Sequence, residues 1–320
     1  MLLLNGTLQG GFILLGFYEY PTLSVPLFFI FLSIYLLCLL ENTILILTIC
    51  LDADLHSPMY FFLCNLSFLD ICFTSLIFPK FLMTFYDLRL FSYLQCMTQV
   101  YLFMALQGAE LLILTVMSYD RYVAICHPLH YNIVLNTKVC VLLAVLTWVI
   151  SIVDPAPLII LMLYISFCKL RIIDHLFCDL VPLLALSCDD VSKVETLILC
   201  EGGIVVVSAF IFTLISYIFI IQVIMKIQSK EGRKKAFSTC SSHLSVIVLL
   251  YLSLIFVYLQ QPSKHHSQNT KFISILNTGV IPMLNPLLYS LRNAKVKAAL
   301  YRSVKKLTNR ITHYIHLSKS

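Results

Sequence analysis

Charged residues are scarce in this chain. They make up 12% of its 320 residues, about half the share found in soluble globular proteins. So few charges cannot cover a water-facing surface, which excludes a soluble protein. Apolar residues reach 60%, and they fall into blocks of roughly 20, the helix length that crosses ~30 Å of hydrocarbon. The composition therefore predicts an all-α membrane protein.

Alternating polarity is missing as well. A transmembrane β-strand alternates apolar and polar residues, whereas the runs 141–152 and 204–224 do not alternate. This excludes a β-barrel. Helices are then required, because a helix satisfies its own backbone hydrogen bonds within lipid.

Signatures of enzymes and carriers are also missing. The sequence has no Gly-rich phosphate loop, nucleophile elbow or His-rich metal triad, so we expect neither enzymatic activity nor an organic cofactor. A retinal protein needs a lysine deep in the last span, but Lys271 lies only at its start, with Thr278 and Gly279 inside. Without inverted repeats or charged rings, a polytopic channel or transporter is only a remote alternative.

Seven apolar segments are long enough to span a bilayer, and they predict a seven-helix bundle forming a single domain over 1–320. A basic amphipathic segment at 292–307 follows, with Val296, Leu300, Val304 and Leu307 on one face. It indicates a surface helix on an anionic leaflet, the alternative being a frayed tail. The predicted spans are 26–50, 58–82, 97–122, 139–163, 197–227, 237–258 and 271–291.

The net charge of +6 is unevenly placed, since 15 of the 22 Lys and Arg residues fall on the side of the seven-span topology that carries the C-terminus. The positive-inside rule makes that side cytoplasmic, and membrane lipid rather than nucleic acid is the expected partner of this charge. The N-terminus is then extracellular on a plasma-membrane protein. There Asn5-Gly6-Thr7 is a candidate glycosylation site.

Four of the 12 cysteines are predicted to be extracellular: Cys96, Cys168, Cys178 and Cys188. In an oxidising compartment they imply two disulfides, with three connectivities open. His175 and Cys178 have ligand types that suit a soft metal, but a disulfide would consume Cys178. We therefore treat a metal site there as the minor alternative.

Ionisable side chains inside the predicted spans are functional candidates because burial in hydrocarbon is unfavourable. Asp70 and Glu110 reach similar mid-membrane depths, and Asn42 and Asn285 add amide oxygens. Two carboxylates facing one interior repel unless one is protonated or a cation lies between them. We expect either a sodium-like site or a neutral hydrogen-bonded cluster. Glu41 and Glu201 are the two further acids that we treat as candidates.

Five motifs carry a family resemblance. At the end of the third span, 117–131 reads Met-Ser-Tyr-Asp-Arg-Tyr-Val-Ala-Ile-Cys-His-Pro-Leu-His-Tyr. The others are 58–70, Ser216-Tyr217, 235–243 and 282–293. In this order, over nearly the whole chain, they resemble the vertebrate olfactory receptors of class II, a branch of the rhodopsin-like G-protein-coupled receptors.

The resemblance implies a rhodopsin-like bundle with a surface helix after the seventh span, and disulfides Cys96–Cys178 and Cys168–Cys188. It also implies that Arg121 pairs with Asp120 at rest and is freed by agonist. The partner implied is the stimulatory, olfactory-type G protein, which raises cyclic AMP; a non-olfactory chemosensory receptor is the alternative. The activation residues carried over are Asp120, Arg121, Tyr122, Tyr217, His243, Asn285, Pro286 and Tyr289.

The resemblance also places a ligand pocket between the third and sixth spans, although helix packing explains the same apolar stripes. Its mostly apolar lining suits a small volatile molecule. Phe103 stands where amine-binding relatives in the wider superfamily carry an Asp, so a cation held by the third span is not expected. Glu201 faces either the pocket or the outer interface. The pocket residues are Phe103, Met104, Gln107, Gly108, Glu201, Tyr251, Leu254, Ile255 and Tyr258.

Overall fold

A computed structural model describes residues 11–86, 89–167, 171–259, 267–291, 295–302 and 305. Side chains are described for these residues except at 201, 235, 238, 239, 242, 256–259, 267–269 and 289–291. Several predicted features therefore lie outside the described residues. They are Asn5, Cys168, part of 292–307, and the side chains of Glu201, Tyr258 and Tyr289.

Seven long helices, α1 to α7, follow one another along the chain. α4 is interrupted at Asp154-Pro155, and α7 consists of Ser267–Ile275, a π-helical turn at Leu276–Val280, and Ile281–Leu291. Two one-turn helices, Tyr131–Val134 and Leu180–Leu184, lie in loops. The helices are α1 Ser24–Leu51, α2 Pro58–Met83, α3 Tyr93–Cys126, α4 Thr137–Met162, α5 Ser192–Lys226, α6 Lys230–Leu259 and α7 267–291.

Local sequence explains several helix starts. Ser92 and Gln95 form a capping box at α3, in which the Ser92 Oγ accepts from the Gln95 backbone N–H at 3.2 Å. The Asn136 side chain caps α4 by accepting from the Val139 N–H at 3.1 Å. Pro58 lies in the first turn of α2, where a backbone N–H would have no partner within the helix, so proline is tolerated there.

Among the described residues, six helices are long and apolar enough to cross a membrane, and α6 adds a shorter apolar stretch, His243–Ile255. Together the seven helices form the predicted bundle. Many large apolar side chains, such as Phe29 and Ile30 on α1, point away from it, as expected when the solvent is lipid.

α3 is the central helix, because it packs against α2, α4, α5 and α6. Its buried residues include Glu110, Ser118 and Asp120. These three polar side chains are therefore enclosed by neighbouring helices rather than exposed to lipid.

A three-stranded sheet closes one end of the bundle, which we call the sheet end. The strands are β1 Gly11–Leu14, β2 Leu90–Ser92 and β3 Ile172–Ile173. β1 lies in the middle, antiparallel to β2 and parallel to β3. A Cβ at Gly11 would approach the Phe91 carbonyl oxygen to 2.6 Å, so this pairing needs glycine. This small sheet was not predicted from the sequence.

The opposite end carries a helix at 295–302, α8, and we call it the α8 end. Val296 and Ala299 are buried, while Arg302 reaches the loop between α1 and α2. There its guanidinium donates to Asp52 Oδ2 at 2.7 Å and to Asp54 Oδ2 at 3.1 Å. The two acidic residues of this loop thus hold α8 against the bundle.

Candidate functional site: a cavity at the sheet end and a polar cluster at the α8 end

A cavity of about 640 Å³ lies inside the bundle towards the sheet end. Five helices, α3 to α7, and the one-turn helix at Leu180–Leu184 contribute to its wall. On α3 the lining residues Phe103, Gln107 and Leu111 recur every four positions, the spacing of one helix face. Most of the wall is apolar, including Leu158, Val205, Val206 and Leu254.

Five of the predicted pocket residues line this cavity: Phe103, Met104, Gln107, Gly108 and Leu254. Tyr251 is buried one turn deeper, with its ring 5.1 Å from that of Phe210 on α5.

Ile255 was wrongly assigned to the pocket. Its side chain is 50% exposed, whereas Leu254 is 9% exposed. Val248, Leu252 and Ile255 recur at intervals of four and three residues, so they share the outward face of α6. A position one residue from Leu254 is rotated by about 100°, which is enough to turn Ile255 towards lipid.

Several polar residues in the wall were missed by sequence reasoning. Asp154, Asp179 and Glu195 place carboxylates on the cavity, and Ser274 and Asn277 add neutral groups from α7. Asp154 lies next to Pro155 within the predicted span 139–163. An ionisable residue inside a span is a functional candidate, so the sequence could have indicated this one. The others lie in loops or near helix ends, where the sequence alone does not indicate which way a side chain points.

The segment 175–185 covers the cavity, and we call it the roof. The Cys96–Cys178 disulfide, whose cysteines are both buried, joins the roof to α3. The Cys178 backbone N–H also donates to Gln99 Oε1 at 2.9 Å. Phe177 packs on Phe103, with ring centroids 4.9 Å apart. Cys188 is disulfide-bonded too, but Cys168 lies outside the described residues, so the pairing of these two stays a prediction.

His175 attaches the same roof to α7. Its Nε2 lies 3.1 Å from Ser274 Oγ and its Nδ1 3.3 Å from the Phe177 carbonyl oxygen, while the neighbouring Asp174 pairs with Lys271. Burial lowers the pKa of the His175 imidazole, which keeps the ring neutral. The alternative of a metal on His175 and Cys178 is wrong, because the disulfide consumes the thiol.

A buried polar cluster lies between α1, α2, α3 and α7. Asn285 Nδ2 donates to both carboxylate oxygens of Asp70, at 3.2 and 3.1 Å. Asn42 donates to the Pro282 carbonyl oxygen at 3.1 Å, and Gln107 donates to Glu110 Oε2 at 3.2 Å. Three buried oxygens have no hydrogen-bond partner: Asn42 Oδ1, Glu110 Oε1 and Asn285 Oδ1.

The amide N–H groups of Asn42 and Asn285 and one oxygen of Glu110 are hydrogen-bonded. The cluster nevertheless has more acceptor oxygens than donors. Oxygen ligands of this kind suit a hard cation. Among the described residues, however, no group of three or more His, Cys, Asp and Glu side chains is arranged to hold a metal ion. Any cation would therefore depend on the two asparagines as well as on Asp70 and Glu110.

At the α8 end, Tyr217 of α5 and His243 of α6 form a buried pair. The Tyr217 hydroxyl lies 2.7 Å from His243 Nδ1, and both side chains are at most 5% exposed. Tyr122 of α3 contacts His127, with its hydroxyl 3.1 Å from Nε2. Two of the predicted activation residues, Tyr217 and His243, therefore join α5 to α6 at the α8 end.

The predicted pairing of Arg121 with Asp120 is not found. Asp120 instead accepts from the Tyr131 hydroxyl at 2.7 Å, and the Arg121 guanidinium turns towards Met59 of α2. Burial and the adjacent Asp120 raise the pKa of Tyr131, so its hydroxyl keeps the proton that it donates. The neutral Tyr131 hydroxyl thus donates to the Asp120 carboxylate, which was expected to pair with Arg121.

Comparisons with known proteins agree on one family. A family model described as "Olfactory receptor" matches residues 31–307. Olfactory receptor 1L4 of Homo sapiens is 45% identical over 302 residues, covering 94% of this chain and 96% of the relative. Olfactory receptor 8A1 of Homo sapiens is 43% identical over 295 residues, covering 92% and 90%. Olfactory receptor 8U9 of Mus musculus is 44% identical over 302 residues, covering 94% and 96%.

Proposed function

Because the chain belongs to the olfactory receptor family, we propose that it binds small volatile odorants in the cavity and activates the stimulatory, olfactory-type G protein. Members of this family are multi-pass G-protein-coupled receptors of the plasma membrane, not enzymes. The pathway from this receptor leads through adenylyl cyclase to a rise in cyclic AMP.

The observation that supports this proposal most is the cavity. Its volume of about 640 Å³ falls within the range typical of small-molecule sites. The wall is mainly apolar, with polar groups at a few positions such as Gln107 and Asn277. Such a lining binds through apolar contact and orients the ligand through a few hydrogen bonds.

The same helices that line the cavity carry the proposed switch. α3 runs from Phe103 at the cavity to Arg121 at the α8 end, and α6 runs from Leu254 to His243. A ligand that binds one arrangement of α3 and α6 more tightly therefore raises the population of that arrangement, including its conformation at the α8 end. Tyr289 and Pro286 of α7 belong to this switch by the family resemblance.

We propose that the sheet end is extracellular and the α8 end cytoplasmic. The basic residues of 226–235 and of the segment after α7 support this orientation. Asn5 is then available for glycosylation, and the chain acts as one receptor domain over 1–320. The predicted basic surface helix at 292–307, of which the structure describes 295–302 and 305, is proposed to contact the inner leaflet.

Sodium ion is proposed as the ligand of the Asn42, Asp70, Glu110 and Asn285 cluster. Asp70→Asn is expected to abolish the sodium dependence of agonist potency, because it removes the ionised oxygen donors. In the unchanged receptor, replacing sodium by N-methylglucamine should shift the half-maximal concentration at least about fivefold, the lower range of allosteric coupling.

Glu19→Gln is the control for this measurement, since Glu19 is an exposed carboxylate that precedes α1. It should keep the sodium dependence. Equal dependence in Asp70→Asn, or none in the unchanged receptor, contradicts the sodium site.

The proposed function is tested in cells that express the chain with the olfactory G protein, by recording cyclic AMP across a broad odorant panel. A response to a subset of odorants, lost when the G protein is omitted, is expected. A ligand-gated current that persists without any G protein would favour a channel. Silence across the panel, with normal surface protein, would refute the signalling role.

The cavity assignment is tested by two neighbouring residues of α6. Leu254→Ala removes apolar contact from the wall and should change the rank order of agonists, with losses of roughly tenfold for those that fill this side. Ile255→Ala, the matched control on the lipid face, should leave the order unchanged. Dose–response curves for both variants decide the point, and an equal effect of the two would place the ligand elsewhere.

A further inference from the structure

The polar part of the cavity wall has one sign of charge. Its carboxylates come from three separate segments, with Asp154 on α4, Asp179 in the roof and Glu195 on α5. No Lys, Arg or His is among the described residues that line the cavity. A ligand inside it therefore experiences a negative potential, which is screened least beside the half-buried Asp154 and Asp179 and more beside the exposed Glu195.

These carboxylates form no ion pair with a residue that the structure describes, and so they can bind a ligand. Asp179 accepts the Leu180 backbone N–H at 2.7 Å with one oxygen, which caps the one-turn helix. The nearby cation Lys271 is paired with Asp174 instead.

A second observation on a different helix also indicates a ligand. Asn277 lines the cavity from the π-helical turn of α7 and is only 8% exposed, yet its Oδ1 has no hydrogen-bond partner. A buried amide oxygen that stays unpaired destabilises the fold. π-helical turns are frequent at functional sites. A ligand that reaches α7 satisfies this group.

We propose that the preferred ligands of this cavity are small protonated amines. The ammonium group donates charge-assisted hydrogen bonds to Asp154 and Glu195, and its alkyl part lies against the apolar wall of α3 and α5. The Asn277 carboxamide offers an additional hydrogen bond on the α7 side. This inference rests on the proposed function and narrows its ligand class.

The assignment differs from the way in which a third-span carboxylate would bind an amine. Phe103 occupies the cavity face of α3, so the negative charge is supplied from α4 and α5. Charge-assisted bonds are about twice as strong as neutral ones. Amines should therefore be preferred over alcohols of the same length and shape, and carboxylic acids should be excluded.

The probes are primary alkylamines from butylamine to octylamine, with the matching alcohols and carboxylic acids. Two readouts are used on the full chain: cyclic AMP in cells, and the thermal midpoint of the purified receptor in detergent. The second reports binding without a G protein. Amines are expected to be at least about tenfold more potent than the alcohols and to raise the thermal midpoint more, with acids inactive.

Asp154→Asn and Glu195→Gln keep side-chain size and remove charge. Each is expected to raise the half-maximal amine concentration at least about tenfold while changing that of the alcohols less than about threefold. Asn277→Leu should weaken amines by a smaller factor. Glu19→Gln is the matched control, because this exposed carboxylate precedes α1 and does not line the cavity; it should change neither class.

Equal potency and equal thermal shifts for amines and alcohols would overturn the inference. So would a shift of both classes by the same factor in Asp154→Asn and Glu195→Gln, or an equal effect of Glu19→Gln. If neutral odorants activate the receptor while amines neither activate, compete nor stabilise it, the ligand class fails and the proposed function stands. If amines stabilise the receptor but no compound raises cyclic AMP, the signalling role fails and the ligand class stands.

Discussion

Replacing Arg121 with alanine is expected to abolish the odorant-evoked rise in cyclic AMP while leaving surface protein unchanged. The guanidinium lies at the α8 end, beside Met59 of α2. It is not tied to Asp120, which Tyr131 occupies. Alanine removes a cation from the α8 end and breaks no ion pair with Asp120, so folding should survive. The response should fall at least about 100-fold, near the upper range of allosteric coupling.

Arg171→Ala is the matched control, since Arg171 is also a half-buried arginine but lies at the sheet end over Phe12. It should keep its cyclic AMP response. Surface protein is measured by labelling intact cells, and cyclic AMP in the same cells. A normal response from Arg121→Ala at equal surface density would remove Arg121 from the switch.

Loss of the Cys96–Cys178 disulfide is expected to have the largest effect on folding. The bond joins residues 82 positions apart and fixes the cavity roof to the start of α3. Closing a loop of this length in the unfolded chain accounts for about 4.5 kcal/mol in the chain-entropy model. Either Cys96→Ser or Cys178→Ser also leaves a buried polar group in the apolar cluster around Phe12 and Met97. Both variants should therefore be retained inside the cell.

Cys200→Ser controls for the substitution itself, because Cys200 is an exposed free cysteine on α5. It should reach the surface normally. The measurement is surface labelling together with the thermal midpoint of purified receptor. The double variant Cys96→Ser/Cys178→Ser should be no worse than either single variant, since one bond is lost in each case. Normal surface levels of both single variants would contradict this role of the disulfide.

Some of the cavity was predictable from the sequence and some was not. Phe103, Met104, Gln107 and Gly108 were placed correctly on its wall because the family motif at Asp120 sets the register of α3. Ile255 was misplaced for a physical reason. A lipid-facing residue and an inward-facing residue are both apolar, so hydropathy does not indicate how α6 is rotated.

The carboxylates of the cavity are a second example. Asp154, Asp179 and Glu195 are separated by loops and belong to three segments. Each looks in the sequence like an acid near a helix end, which is common in any membrane protein. Only when α4, α5 and the disulfide-bound roof are brought together do they enclose the same space. The same holds for the Asp120–Tyr131 contact, because the sequence does not specify how the loop after α3 folds back.

The sequence by itself determined that the chain is surrounded by lipid, that it is helical, and which family it resembles. Hydrophobic length and backbone satisfaction are properties of single segments, so they can be read without neighbours, and the motifs of the family stand at set positions along the chain. Tertiary structure alone decided which faces line the cavity, that an acidic wall meets the unpaired Asn277 Oδ1, and that Asp120 accepts from Tyr131 rather than from Arg121. These depend on how helices rotate and pack against one another, and in lipid that packing is set by contacts between helices rather than by the polarity of any one of them.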